Sequence, residues 1–203
     1  MDPVLVAAAK FELEPLENAL QQRGYTPLTK LAGIGALNAA KRARQVADFC
    51  RGRPVVFVGT CGTFGAFTKV HLVRAQEVIW MPTCERMGFS YTVKDTAPPI
   101  TLPPPPQFCR SLPERRVICS PGVSLIGKLP ESWAAEHHVE NLELYSIIGE
   151  IAAQASSLAV ILAVTNSIGP DAHSQWRHHF TAAAGATAEF IAPRINREQD
   201  WEK

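Results

Sequence analysis

The chain has 203 residues, of which 20 are Lys or Arg and 19 are Asp or Glu, and its formal net charge is +1 at neutral pH. An apolar fraction of 46% with 19% charged residues is typical of a soluble globular protein, and the length suffices for one domain with a full core. A charge this close to zero creates no field for nucleic acid or an anionic membrane, so we expect a small-molecule partner and neither of those.

The same features predict a cytoplasmic location. No window reaches the roughly 18 uncharged apolar residues of a spanning helix, and residues 1–10 lack the basic start and long apolar core of a signal peptide. The five cysteines, an odd number without a CxxC pair, suit reduced thiols. The histidine pairs His137-His138 and His178-His179 lack the i, i+4 spacing at which two imidazoles share a metal, so we expect no metal and no cofactor.

Strand and helix patterns alternate along the first part of the chain. Residues 3–9 are a short apolar run of the kind that forms a strand buried on both faces, and residues 11–24 predict an amphipathic helix that ends at a glycine. A glycine-rich turn and a helix follow over residues 31–52. A second buried strand with a glycine-rich end comes next over residues 54–65, and further strand over residues 71–82.

The alternation resumes after one interruption. Residues 97–108 contain six prolines, which leaves few donors for a strand ladder, so we predict a loop there. A proline-binding partner is an alternative role, but a rigid surface connection is the commoner one. Strands are predicted over residues 115–122 and 158–166, with a helix between them over residues 139–156 and a last helix over residues 175–192. This order indicates an α/β layered fold whose ligands gather at the carboxyl ends of the strands.

Five segments lie at those strand ends or in the helix that would face them: VLVAAAKFELEPL, GIGALNAA, VVFVGTCGTFG, ENLELYSI and AVTNSIG. Together, and in this order, they resemble the purine nucleoside phosphorylase and nucleosidase superfamily from Val4 to Phe190. The resemblance implies a three-layer α/β/α fold with a central mixed, mostly parallel sheet. It also implies a single domain over residues 1–195, followed by a polar tail over residues 196–203, and a homodimer in which a neighbouring subunit completes the pocket.

The first implied catalytic residue is Glu12. Cleavage of an N-glycosidic bond passes through an oxocarbenium-like sugar, so the site must hold the sugar, stabilise the departing base and supply a nucleophile. The resemblance implies that Glu12 is the general base that accepts a proton from the attacking water. Taken without the resemblance, Glu12 is more simply an acid at the start of a helix, where it interacts with the helix dipole.

The resemblance assigns the sugar to Glu143. This residue matches a glutamate that accepts hydrogen bonds from the ribose 2′- and 3′-hydroxyls, and Leu142 stands where the family has Met, an exchange that conserves volume. The alternative is a polar residue on a helix face. Glu140 and Glu143 would lie one helical turn apart, so one of them would simply face solvent.

The resemblance assigns recognition of the base to Asn166. This residue stands where the family has an acid that protonates N7 of adenine-type leaving groups. An amide donates its NH2 group to a carbonyl O6, whereas a carboxylate suits a 6-amino group. Asn166 therefore favours a 6-oxopurine such as hypoxanthine, and such discrimination can be large because a mismatch leaves buried polar atoms unpaired. The alternative is that Asn166 caps the strand end or begins a turn.

Water is the expected nucleophile. The family's phosphorylases carry an arginine where this chain has Phe57, and their first turn has a Gly and Arg pattern that AAAKFE lacks. Thr60 and Gly62 lie in the strand-end loop, where the hydroxyl and the backbone amides would bind water or ribose. Val123 or Ser124 is expected beside the base. Aromatic side chains available for stacking on a purine are Trp80, Phe89, Tyr91 and Trp176.

Among the hydrolases, VAAAKFELEPL and TNSIGPDAHSQW are most similar to the futalosine hydrolases, which release hypoxanthine in a menaquinone pathway. Asp171 and Trp176 match their pattern, whereas Pro170 and Leu162 stand where relatives have arginines, in the second case near the catalytic water. The resemblance thus implies a metal-free purine nucleosidase of the futalosine type. The alternatives are a nucleosidase for methylthioadenosine or S-adenosylhomocysteine, and a relative that binds nucleosides or a partner without turnover.

Overall fold

In the computed structural model, which describes residues 2–93, 96–126, 131–135, 138–195 and 201, eight strands of the described chain form one mixed sheet. The strands are β1 (Val4–Ala7), β2 (Leu28–Leu31), β3 (Pro54–Thr63), β4 (His71–Trp80), β5 (Ile100–Thr101), β6 (Glu114–Cys119), β7 (Val139–Asn141) and β8 (Ser157–Ser167). The α-helices are α1 (Lys10–Gln21), α2 (Ala36–Cys50), α3 (Thr83–Arg86), α4 (Glu131–Ala135), α5 (Ile148–Gln154) and α6 (Ala172–Ile191).

The sheet has the order β2-β1-β3-β7-β6-β4-β5, and β8 pairs with both β3 and β4. The pairings β1–β2, β1–β3, β3–β8, β4–β6 and β6–β7 are parallel, and β3–β7, β4–β5 and β4–β8 are antiparallel. The prediction of a mixed, mostly parallel sheet is confirmed. The strands β3, β7, β6, β4 and β8 pair in a closed circuit.

Helices cover both faces of the sheet, which confirms the three-layer arrangement. Successive side chains of a strand point to opposite faces, so the part of β3 that is covered on both faces is apolar at each position from Val55 to Val58. Val56 and Val58 pack with α1 and α6 on one face, and Val55 and Phe57 pack with α2 and α5 on the other. On α1 the residues that enter the core recur at helical spacing. They are Leu13, Leu16 and Leu20.

The predicted helix over residues 139–156 is wrong for its first half. This stretch begins with β7, continues through a 3-10 turn at Leu144–Ser146, and becomes an α-helix only at Ile148. The cause is the side chain of Asn141, whose Oδ1 accepts hydrogen bonds from the backbone N–H groups of Glu143 at 3.0 Å and Leu144 at 2.9 Å. An Asn that binds nearby backbone in this way competes with helix hydrogen bonds.

The proline-rich segment over residues 97–108 is more ordered than the predicted loop. Its proline-free pair Ile100–Thr101 forms β5, an edge strand antiparallel to β4. The hydroxyl of Tyr145 donates to the carbonyl of Pro98 at 2.9 Å, which ties the segment to the rest of the fold. A second strand that was not predicted, β2, is partly exposed along its length and lacks a clear apolar pattern.

Towards the carboxyl terminus the described chain ends with the long helix α6 and Trp201. The rest of the predicted tail over residues 196–203 lies outside the described residues. The ring of Trp201 packs against Phe108 with centroids 5.4 Å apart, and its Nε1 donates to the carbonyl of Ile195 at 3.1 Å. None of the helices in the described ranges has both the length and the apolar character that crossing a membrane requires.

The packing of α5 can be tested with one substitution. Ile151 is fully buried in the core that α5 shares with α2, so Ile151→Ala should lower the free energy of unfolding by about 2–5 kcal/mol, measured by denaturant titration. The control Glu150→Ala changes an exposed neighbour on the same helix and should alter the stability by less than about 0.5 kcal/mol. Equal small effects of the two substitutions would contradict this packing.

Candidate functional site

A cavity of about 290 Å³ opens at the carboxyl ends of β1, β3 and β8, where β7 joins them. Parallel strands bring residues that are distant in the chain to this edge, because their carboxyl ends meet there. All eight residues that were predicted for the site line the cavity. They are Glu12, Thr60, Gly62, Val123, Leu142, Glu143, Asn166 and Trp176.

Glu12 enters the cavity from the first turn of α1. Its Oε2 accepts a hydrogen bond from the backbone N–H of Ala9 at 3.1 Å, and the N–H groups of Ala8 and Thr60 also stabilise the carboxylate. Burial, and secondarily the charge of Glu143, raise the pKa of Glu12 from 4.5 to about 7, although these hydrogen bonds act in the opposite direction. A carboxyl group with this pKa can accept a proton near neutral pH.

Glu143 follows β7 and is aimed by Asn141. The Oδ1 of Asn141 binds the backbone after the strand, and its Nδ2 donates to the carbonyl of Thr60 at 3.1 Å, which ties the turn to β3. The Oε1 of Glu143 then accepts from the N–H of Gly35 at 2.8 Å. Burial raises the pKa of Glu143, while the Gly35 N–H and neighbouring donors lower it. Gly35 has a φ of 80°, a conformation that glycine adopts without strain.

Glu140 was missed as a site residue. The alternative that either Glu140 or Glu143 faces solvent is wrong, because they are only 5% and 7% exposed and both line the cavity. Glu140 accepts hydrogen bonds from the Ser120 hydroxyl at 3.0 Å and from the Ser124 backbone N–H at 3.2 Å, and it also binds the Ser124 hydroxyl. Burial raises its pKa and these donors lower it. The two serines flank Val123, so Glu140 holds Val123 against the cavity.

Asn166 reaches the cavity through a β-bulge. The β3–β8 pairing matches Cys61 with Val164 but Gly62 with Asn166, so Thr165 is the extra residue of β8 and the strand turns there. The Thr165 hydroxyl donates to Oδ1 of Asn166 at 2.8 Å, and Nδ2 donates to the carbonyl of Ser167 at 3.0 Å. Because a carbonyl can only accept, the amide orientation is fixed, with one N–H and one lone pair of the amide left for a ligand.

Three aromatic rings, of Phe11, His173 and Trp176, form one wall of the site, and Phe180 packs on Trp176 outside the cavity lining. Trp176 stacks on Phe180 at 5.4 Å and on His173 at 5.7 Å, and Phe11 meets it edge-on at 6.0 Å. Phe11 and His173 line the cavity but were not predicted, since no short-range pattern connects α1 with α6. The other aromatic candidates do not line it. Trp80 packs against Tyr145, and Phe89 and Tyr91 are exposed.

No Lys or Arg side chain among the described residues lines the cavity. Leu162, one of the positions where the resemblance implies an arginine in relatives, is fully buried in β8. A Cβ placed on Gly59 would lie 3.5 Å from Leu162 Cδ2 and 3.6 Å from Glu12 Oε1, so Leu162 presents an apolar surface near the Glu12 carboxylate. Within the described ranges, which omit His137, no cluster of three His, Cys, Asp or Glu side chains could hold a metal ion.

Comparison with known proteins identifies the fold. No protein-family model and no curated sequence matches the chain. A Helicobacter pylori 5′-methylthioadenosine/S-adenosylhomocysteine nucleosidase mutant with 5′-methylthioadenosine in its active site superposes with a TM-score of 0.71 at 13% identity, over 95% of this chain and 96% of that one. A futalosine hydrolase mutant from the same species gives 0.70 at 13% identity, over 94% and 97%.

A third solved structure has the same fold. The 5′-methylthioadenosine/S-adenosylhomocysteine nucleosidase of Neisseria meningitidis in complex with methylthio-immucillin-A gives a TM-score of 0.69 at 16% identity, over 94% of this chain and 96% of that one. The likeness therefore extends over nearly the whole length of both chains. The chain has the fold of these nucleosidases, so the fold that the resemblance implied is confirmed.

Gly62 lines the cavity at a position where the surrounding atoms leave no room for a side chain. An added Cβ there would lie 2.7 Å from Ile168 Cδ1 and 2.8 Å from Asn166 Nδ2, so Gly62→Ala should lower the free energy of unfolding by about 1–3 kcal/mol through overpacking. Gly185→Ala is the matched control, because no atom lies within 4 Å of its Cβ and alanine favours its helix. The measurement is thermal or denaturant unfolding, and a Gly62→Ala protein as stable as the wild type would refute the close contact.

Proposed function

We propose that this protein hydrolyses the N-glycosidic bond of a purine nucleoside with water as the nucleophile, and that the released base is a 6-oxopurine. The observation that carries the proposal is the convergence of Glu12, Glu143 and Asn166 on one cavity. The three roles of such a reaction are activating water, holding ribose and binding the base. Each has a suitable side chain there. The fold that this chain shares with solved structures of nucleosidases supports the same proposed reaction.

Glu12 and Glu143 have different roles at the sugar. Glu12, with a pKa near 7, takes a proton from water as the water oxygen attacks C1′. Glu143 uses one oxygen for the N–H of Gly35 and keeps acceptor positions for the ribose 2′- and 3′-hydroxyls. Positive charge develops on the sugar in the transition state, and two carboxylates beside it stabilise it more than they stabilise the neutral nucleoside.

Electrostatics favour water over phosphate. A phosphate nucleophile needs arginine or lysine partners, and the described residues that line the cavity include none. The two facing carboxylates would also repel an anion, in contrast to a neutral water molecule. Phe57, in the place of a phosphorylase arginine, is buried in the core and 1% exposed. Hydrolysis therefore fits this site better than phosphorolysis.

The amide of Asn166 supports a 6-oxopurine. With Ser167 fixing the amide, the remaining N–H is available for O6 of the base, which accepts hydrogen bonds. Futalosine, in a menaquinone pathway in the cytoplasm, is the substrate that this assignment favours. The rival is a nucleosidase for methylthioadenosine or S-adenosylhomocysteine, since the free lone pair of Oδ1 would accept a 6-amino group.

We also propose that two copies of the chain form a homodimer that completes the pocket. Apolar side chains at and near the rim of the cavity are unusually exposed, and burying them in an interface would be favourable. Ile34 and Val123 line the cavity yet remain 58% and 48% exposed, and Leu37, one turn after Ile34, is 79% exposed. A second copy that covers this rim would close the cavity to bulk water.

The general base can be tested by substitution. Glu12→Gln removes the proton acceptor and should lower kcat by about 10²–10⁴-fold, while the affinity for nucleoside stays within a few-fold of wild type. Glu14→Gln, at an exposed position of the same helix, is the matched control and should keep full activity. Base release in phosphate-free buffer, followed by chromatography, measures both. A Glu12→Gln enzyme with normal turnover would exclude Glu12 as the base.

The pH profile gives an independent test of Glu12. The base must be ionised, and its pKa is about 7 in the free protein. The value of kcat/KM should therefore be level above this pH and fall about tenfold per pH unit below it. Rates for the wild type between acid and alkaline pH measure this. A profile that stays flat well below neutral pH would contradict the raised pKa.

Base specificity tests Asn166. Asn166→Asp replaces the donor to O6 with an acceptor, so the ratio of kcat/KM for inosine or futalosine over methylthioadenosine should fall by about tenfold or more. The measurement compares hypoxanthine and adenine release from separate incubations. If the wild type prefers methylthioadenosine or S-adenosylhomocysteine, the rival assignment holds. If no nucleoside yields a base, the protein is a binding relative.

A further inference from the structure

A hydrogen bond between α6 and β3 fixes the direction of one hydroxyl in the cavity. The indole Nε1 of Trp176 donates to Oγ1 of Thr60 at 3.1 Å, across a sequence separation of 116 residues. An indole N–H can only donate, so the Thr60 oxygen must accept there. The proton of the Thr60 hydroxyl must then point elsewhere.

The direction of that proton follows from the neighbours of Thr60. Within the described residues no protein atom accepts it, although Thr60 itself lines the cavity. The backbone N–H of the same residue stabilises the carboxylate of Glu12. The hydroxyl is therefore a donor directed into the cavity close to the group that would activate water. Leu162, on the neighbouring strand, has no polar atom that could take over this role.

The ring of Trp176 packs against three other rings, which restrain the direction of its N–H. Phe180 and His173 stack on it with interplanar angles of 24° and 23°, and Phe11 meets its edge at 69°. Aromatic packing of this kind favours one side-chain rotamer. The indole N–H of Trp176, on α6, thus binds the hydroxyl oxygen of Thr60, on β3, and the rings packed against Trp176 hold the N–H in that position.

We propose that Trp176 is a positioning residue that makes the Thr60 hydroxyl an obligatory hydrogen-bond donor to the water deprotonated by Glu12. The inference rests on the proposed function. A water molecule has two protons and two lone pairs. One proton passes to Glu12, one lone pair accepts from Thr60, and the other lone pair forms the bond to C1′ while the C1′–N bond breaks. The electron pair of the C1′–N bond leaves with the base, the base takes up one proton from solvent, and Glu12 releases its proton to solvent, so the net reaction consumes one water and regenerates Glu12.

The test pairs removal of the Trp176 N–H with removal of the hydroxyl that it binds. Trp176→Phe keeps an aromatic ring in the stack but removes the donor together with part of the indole, so kcat should fall about tenfold while KM stays within about twofold. Thr60→Val should lower kcat at least as much. In the double variant Trp176→Phe/Thr60→Val the tryptophan change should cost nothing further, because both substitutions act through one hydroxyl. Trp80→Phe, outside the cavity, should leave kcat unchanged.

Two results would overturn the inference. One is a Trp176→Phe protein with wild-type kcat, and the other is additive loss in the double variant. Thr60→Ser supplies a further check, since it retains the hydroxyl and should retain most of the rate and its dependence on Trp176.

A measurement without turnover separates this inference from the proposed function. The indole N–H resonance of Trp176, identified by its disappearance in Trp176→Phe, should shift in Thr60→Val and move little in Thr60→Ser. If the wild type releases no base, the proposed function and the role of the water both fail, and the resonance alone decides whether Trp176 orients Thr60. An unchanged resonance in Thr60→Val would show that the hydrogen bond is absent.

Discussion

Burial of three carboxylates around one cavity is the constraint on which the rest of this structure depends. A carboxylate removed from water is unfavourable by several kcal/mol unless donors replace the lost hydration. Burial accordingly raises the pKa of Glu12, Glu140 and Glu143. Each is compensated by backbone N–H groups from a different connecting segment. These donors include Ala9, Gly35 and Ser124.

The three carboxylates differ in how many of their acceptor positions are already hydrogen-bonded within the protein. This number distinguishes a glutamate with a structural role from one that can bind a ligand. Glu140 binds three hydroxyls, of Thr83, Ser120 and Ser124, and a backbone N–H, so few acceptor positions remain and its role is to hold the segment with Val123. Glu143 accepts the Gly35 N–H at Oε1, and its other oxygen can accept hydrogen bonds from a ligand. Glu12 lies in the field of Glu143, which contributes to its raised pKa and keeps it able to accept a proton near neutral pH. A positive charge on a sugar between them would relieve that repulsion.

Sequence patterns predicted the parts of the fold that depend on local apolar periodicity, such as β1, β3, β8 and the helices packed on them. Patterns failed where one polar side chain redirects the backbone. Residues 139–147 have a helical distribution of apolar residues, yet Asn141 binds its own downstream N–H groups and β7 forms instead. The order of weak motifs found eight of the residues that line the cavity. It could not find Glu140 or the Trp176–Thr60 hydrogen bond, because their partners are distant in the chain.

The central claim is that water attacks the sugar in this cavity. The most direct measurement is mass analysis of the sugar product after incubation of the purified protein with futalosine or inosine in ¹⁸O-enriched water that also contains inorganic phosphate. We expect free base together with free sugar that carries the ¹⁸O label. Sugar 1-phosphate as the product would show that phosphate is the nucleophile, and the absence of any free base would show that the cavity binds nucleosides without cleaving them.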